Sequence, residues 1–219
     1  MAGTAGAASP ALDLLSFRRV APDPAGPPPT PAELEIVLRA ATSVPDHGRL
    51  HPWRFVVATG TGRAVLGDAL AAAVMEARPD APEATVAKAR AKPMAAPAVV
   101  VLVASPVTGS NVPLWEQHAS AACCGHAMVL AGSALGLGAV WKSAGVLTGT
   151  RLRHVLSLGP DEAVFGWILL CARPVGTSPA PRPEIPLAQV ASVLDGDRPL
   201  VAWGTAEVVG PGGMTAERQ

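Results

Sequence analysis

Apolar and polar positions alternate along this chain with two periods. Leu12, Leu14 and Leu15 predict a short helix over 11–19, with Leu12, Leu15 and Leu14 facing inward. Residues 21–31 are too rich in proline to be helical. Thr30-Pro31-Ala32-Glu33 then reads as a helix start: a threonine N-cap, proline at the first helical position and Glu33 closing a capping box. Leu34, Val37, Leu38 and Ala41 supply the apolar stripe, and Pro45 is expected to end the helix. A strand over 53–59 turns at Gly60-Thr61-Gly62 into a helix over 63–77, and a short helix fits between the prolines of 79–93. Residues 98–104 are almost pure valine, as in a strand buried on both faces. A loop over 105–112 precedes a long apolar helix, 113–135, ended by Gly136 and Gly138. A strand at 139–142, a helix at 149–157 and a strand at 164–172 follow. Beyond Arg173 only 187–194 has a helical pattern. The order is mixed α and β, with long helices, few strands and no internal repeat.

With 219 residues the chain has room for one well-buried domain, expected over 11–203, between a disordered leader at 1–10 and a flexible tail at 204–219. Its 17 basic and 17 acidic residues cancel, which removes the electrostatic case for a nucleic-acid or membrane-surface partner. Hydrophobic residues make up 49% and charged residues only 16%, a balance that favours burial against a second subunit. Cys123, Cys124 and Cys171 form no disulfide framework, and the first eight residues lack the marks of a secretory signal, so a reducing, cytoplasmic location is expected. The stretch 119–141 has no Asp, Glu, Lys or Arg, yet its His, Gly, Ser and Cys residues suit a buried helix better than a membrane span.

Candidate chemistry falls at three places. Arg18-Arg19 follows the first helix, Pro45-Asp46-His47 and His51-Pro52-Trp53 form a dense turn, and Trp141-Lys142-Ser143-Ala144-Gly145 lies near a strand end. Early cations can hold a phosphate, a turn can edge a heterocyclic ring, and a glycine-flanked strand end can offer backbone donors. The histidine pairs His47/His51 and His118/His126 lack the flanking glutamate of a zinc-protease motif, and no metal is expected.

In order and spacing, Arg18-Arg19-Val20, Val44-Pro45-Asp46-His47, His51-Pro52-Trp53, Trp115-Glu116-Gln117 and Trp141-Lys142-Ser143-Ala144-Gly145 resemble the nitroreductase family of FMN-dependent oxidoreductases, in particular its minimal bacterial subgroup. The resemblance spans about residues 11–175. It implies an α+β fold with a central mixed or antiparallel sheet flanked by helices, and an intimate homodimer sharing two FMN molecules at its interface. It also implies ping-pong chemistry: NAD(P)H reduces the flavin and leaves, and a small-molecule acceptor such as a nitroaromatic or quinone takes the electrons.

The same resemblance implies the site residues. Arg18 and Arg19 correspond to the first flavin-binding motif; otherwise they are solvated charges at a helix end. Val20 replaces a serine and keeps only its backbone N–H. Ser43 replaces an arginine, which loses a bidentate phosphate contact. Arg39, Arg49 and Arg182 are candidate replacements for that cation. His47 corresponds to a flavin contact; the bland alternative is a loop histidine bonded to Asp46. Trp141, Lys142 and Ser143 would pass the flavin ring, and Ala131 matches a position linked to the nicotinamide nucleotide. Flavin chemistry needs no side-chain nucleophile or general acid, so none is assigned. The Val20 and Ser43 departures leave open a divergent member, one that uses flavin in a specialised biosynthetic dehydrogenation or is a flavin-free binding protein.

Overall fold

The computed structural model describes residues 10–16, 23, 25–143, 148–172, 183–194, 196 and 199–204. The valine run becomes the strand Ala98–Ala104, every residue of which is buried. It lies inside a four-stranded antiparallel sheet formed with Trp53–Thr59 (β1), Leu137–Lys142 (β3) and Ala163–Ala172 (β4). With Ala98–Ala104 as β2, the order is β1-β2-β4-β3. Continuous burial was read as a both-faces strand, and helices on both sides supply it here without any parallel pairing.

Val99, Val101 and Val103 point to one face of the sheet. There they meet Leu66, Ala69 and Leu70 of the helix Gly62–Ala77 and Leu152 of the helix Thr150–Val155. Val100 and Leu102 point to the other face, against Val37 of the helix Pro31–Ala41 and Cys124 and Met128 of the helix Leu114–Ala134. In chain order the helices are Pro10–Ser16 (α1), Pro31–Ala41 (α2), Gly62–Ala77 (α3), Glu83–Ala91 (α4), Leu114–Ala134 (α5) and Thr150–Val155 (α6).

Thr30 caps α2 as expected: its hydroxyl accepts from Glu33 N–H, and Glu33 accepts from Thr30 N–H at 2.7 Å. The helix stops at Ala41, before Pro45, because Thr42 and Ser43 turn their hydroxyls back onto the Arg39 carbonyl. The long helix α5 has an inward face set by size: Ala121, Cys124, Gly125, Met128, Val129 and Gly132 are buried. A Cβ on Gly132 would lie 2.8 Å from that of Ala139, so glycine lets the helix sit on the sheet.

Two expectations change. Leu12 and Leu15 of α1 are exposed, while Leu14 is half-buried. Residues 187–194 are no helix but a short 3-10 turn, Leu187–Gln189, and a strand, Ser192–Val193, that pairs with Val201–Ala202. Hydrogen bonds from the partner segment outweigh the weak helical pattern. Of the adjacent cysteines only Cys124 is buried, with its thiol pushed up to about 12 by burial and then by Cys123; Cys123 is exposed on the outer side of α5. The chain divides into two units, Met1–Ala180 and Pro181–Gln219. No helix among the described residues is long and apolar enough to cross a membrane.

Candidate functional site

Antiparallel pairing gathers several segments at one end of the sheet. Trp53, which opens β1, is opposite Ala104, which closes β2, and Ala104 is opposite Ala163, which opens β4. Lys142, the last residue of β3, is opposite Trp167 of β4. The turn before β1 and the loop from β2 into α5 therefore share this end, while β3, on the opposite edge, runs toward it and stops at Lys142 opposite the middle of β4.

The turn before β1 is held in an unusual shape. Gly48, Arg49 and His51 all have positive φ, at 77°, 55° and 49°. For Arg49 and His51 that is a costly conformation. The Asp46 carboxylate stabilises it by accepting from Leu50 N–H at 3.2 Å and His51 N–H at 2.9 Å. Gly48 is required twice, by its φ and because a Cβ there would lie 3.3 Å from Val112. His51 sets its ring edge against Trp53, centroids 5.8 Å apart.

His47 leads this turn, and its partner is not Asp46. Its Nδ1 lies 2.7 Å from Oε2 of Glu116, in the first turn of α5. A carboxylate is favoured there by the positive end of the helix dipole. The imidazole is exposed, and Nε2 is left without a protein partner among the described residues. The motif Trp115-Glu116-Gln117 thus divides its work. Gln117 is buried and structural: its carbonyl accepts from Val107 N–H at 2.8 Å, and its amide donates to Val112 O at 3.0 Å. Glu116 holds the histidine, and Trp115 is 70% exposed. Sequence reasoning quoted Glu116 without a role; the signal that could have assigned one was a carboxylate at a helix start, downstream of a turn histidine.

Trp141 packs its ring over Gly125 of α5 and donates from Nε1 to Phe165 O at 3.3 Å. Gly166 makes room, since its Cβ would meet Lys142 O at 2.5 Å and its φ is 133°. Lys142 and Ser143 are exposed beyond it. Ala131 is half-buried in α5 against the core on that side of the sheet. Ser43 turns its hydroxyl onto Arg39 O, and the Arg39 guanidinium is taken by Glu35 at 2.6 Å. That pair is exposed on both sides and of the weak i,i+4 kind. Arg49 and Lys142 have no ion pair among the described residues. Arg18, Arg19, Val20 and Arg182 lie outside the described residues.

The acidic groups at this end are engaged. Glu162 is clasped by Arg54, Glu116 by His47, Asp46 by two amides, and Asp161 accepts from the Thr108 hydroxyl. The guanidinium of Arg49, the ammonium of Lys142, an imidazole Nε2 and the Ser143 hydroxyl remain. Groups of this kind suit an anionic ligand such as FMN, with Arg49 on the β1 side of the sheet and Lys142 and Ser143 at the exit of β3 on the other.

Residues 25–171 match the family model described as the nitroreductase family. The chain is 34% identical over 160 residues to "Putative NAD(P)H nitroreductase YdjA" of Escherichia coli, covering 73% of this chain and 86% of that one. It is 35% identical over 161 residues to "Putative NAD(P)H nitroreductase" of Haemophilus influenzae, with the same coverage. Among solved structures, a nitroreductase-like family protein from Bacillus cereus superposes with a TM-score of 0.69 at 19% identity, over 87% of this chain and 98% of that one. A nitroreductase with bound FMN from Bacteroides fragilis does so with 0.60 at 15% identity, over 86% and 100%. The last two show a shared fold. The family match and the 34% relative go further, and by them this chain belongs to the nitroreductase family.

Proposed function

We propose that this protein is an FMN-dependent NAD(P)H oxidoreductase that reduces nitroaromatic, quinone or related acceptors. The observation that carries the reading is the match of residues 25–171 to the nitroreductase family, with the exposed groups of His47, Arg49, Lys142 and Ser143 at the motif positions. FMN, when bound, supplies the two-electron carrier that takes hydride from NAD(P)H and passes it to the acceptor in a ping-pong cycle. The chain's own part is to bind and orient. Arg18, Arg19 and Arg49 would neutralise the phosphate, with Val20 offering a backbone donor. His47, Trp141, Lys142 and Ser143 would edge the ring, and Ala131 would lie toward the nucleotide. Positive charge at Lys142 suits the electron-rich reduced state.

A homodimer is part of this reading. The outer side of α5 carries Ala119, Cys123 and His126, all exposed and without a formal charge, and α1 exposes Leu12 and Leu15. Such surface suits a second copy of the chain. A cytoplasmic location fits the free thiols.

The visible spectrum of the purified protein, with FMN added, tests the reading. Absorbance near about 370 and 450 nm is expected, with rapid bleaching by NADH or NADPH in stopped flow. A protein that stays colourless refutes it. The second reading, a member specialised for biosynthetic dehydrogenation or without flavin, is favoured by Val20 and Ser43, which stand where the resembled subgroup has a serine and an arginine. Flavin that binds but is not bleached by either nucleotide would select the specialised dehydrogenation.

A further inference from the structure

We infer that His47, oriented by Glu116, gives a proton to the electron acceptor. The inference rests on the flavin reading above and adds a role that the cofactor does not fill. Quinones and nitro groups take two electrons together with two protons. A hydride brings both electrons and one proton, so the second proton must come to an acceptor oxygen from elsewhere.

His47 is built to supply it. Its Nδ1 is fixed on Glu116 Oε2 at 2.7 Å, a contact between segments 69 residues apart. Both partners are held from their own side. Glu116 sits in the first turn of α5, anchored by the buried Gln117 beside it. His47 opens a turn whose left-handed residues are fixed by the Asp46 carboxylate. The ring is exposed, so Nε2 is available to a ligand while Nδ1 is not. A carboxylate on Nδ1 fixes the orientation of the ring and turns Nε2 outward. The nearby charged and titratable groups on the turn are Asp46, bound to backbone amides, Arg49 and His51. Asp46 can neither donate nor turn toward the ligand without releasing the turn.

FMN, when bound and reduced, would supply the acceptor with two electrons and one proton as hydride. His47 Nε2–H gives the other proton to an acceptor oxygen, forming the new O–H bond as the N–H bond breaks. Water returns the proton to Nε2. His47 is thus the catalytic residue, and Glu116 is a positioning residue.

Two measurements test this. The first uses the FMN-saturated protein with NADH or NADPH, and compares turnover of duroquinone, which takes protons, with that of ferricyanide, which takes electrons alone. The ratio of the two rates is expected to fall about a hundredfold in His47→Gln, the low end for a lost general acid, and by a smaller factor in Glu116→Gln. An equal fall with both acceptors would make His47 a flavin contact only and overturn the inference. The second needs no flavin. Ring nitrogen NMR of the flavin-free protein should show His47 protonated at Nδ1, and a mixture of tautomers in Glu116→Gln. An unconstrained ring in the wild type, or one unchanged by Glu116→Gln, overturns the positioning role. Wild-type protein that takes up no FMN would refute the functional reading itself, a result distinct from an unchanged acceptor ratio.

Discussion

Arg54 and Glu162 show how much one pair of side chains can organise. Arg54 on β1 donates to both oxygens of Glu162, at 2.7 and 2.6 Å, and to the carbonyls of Leu156 and Ser157. It ties the first strand to the turn between α6 and β4, at the end of the sheet that carries the candidate site. The Arg54 hydrogen bonds hold the Glu162 carboxyl down at about 2, against an ordinary 4.5 and in spite of burial, with Gly159 N–H adding to the effect. A carboxyl depressed in the folded state stabilises above its unfolded value and loses that contribution as pH falls through its folded value. Glu162→Gln is therefore expected to lower stability by about 1.5–3 kcal/mol near neutral pH, the range for a hydrogen bond to a charged group. The deficit should shrink between pH 4.5 and about 2. Urea unfolding of both proteins across that range checks it, and a pH-independent difference would remove the ion pair as its cause.

At the scale of elements, local signals and packing can be told apart. The capping box of α2 is local, since both hydrogen bonds lie within Thr30–Glu33. Thr30→Ala should cost about 1 kcal/mol, measured as a shift of the urea midpoint with an unchanged slope. A loss below the error of that measurement would mean that the packing of α2 on α5 fixes the helix start instead. The central helix is different. Its small residues give little contrast in hydrophobicity between its faces, so the sequence shows that it is buried but not which way it turns. Gly125 against Trp141 and Gly132 against Ala139 settle the rotation by close approach. They place Ala131 half-buried toward the core and leave Ala119, Cys123 and His126 outside.

That rotation fixes the test for the whole molecule. Ala131 contacts the core, so a charge there would disturb the fold as well as an interface. Ala119 is exposed. Ala119→Arg is expected to keep the monomer fold while splitting the proposed dimer. The interface should bury more than about 2,000 Å² in total, the scale of permanent assemblies. Sedimentation at micromolar concentration should report a wild-type dimer and a folded variant monomer with weakened FMN affinity. A wild-type monomer that binds FMN tightly would contradict the shared site. Leu12 and Leu15 bear on the same question: read as inward-facing, they are exposed in the single chain, and a second copy is where such a face would be buried.

The elements themselves were legible because their causes are short-range. The valine run, the capping box and Gly136 after α5 each act within a few residues, and the corresponding structure lies where the pattern placed it, whereas Gly138, read as part of the helix stop, is already inside β3. The long ends were less legible: 187–194 became a turn and a strand because its partner, Val201–Ala202, lies further along the chain. Family membership was also written in the sequence, through five short motifs in order. The partner of His47 was not. Asp46 is its neighbour in sequence and Glu116 is 69 residues away, yet the left-handed turn directs Asp46 to the backbone and leaves the ring to α5. Sequence alone determined which segments form and which chemistry they carry, since propensity and periodicity act locally. Only the tertiary structure decided which charges remain free and which carboxylate holds the histidine, because hydrogen bonds and ion pairs depend on distances between segments that the chain brings together only by folding.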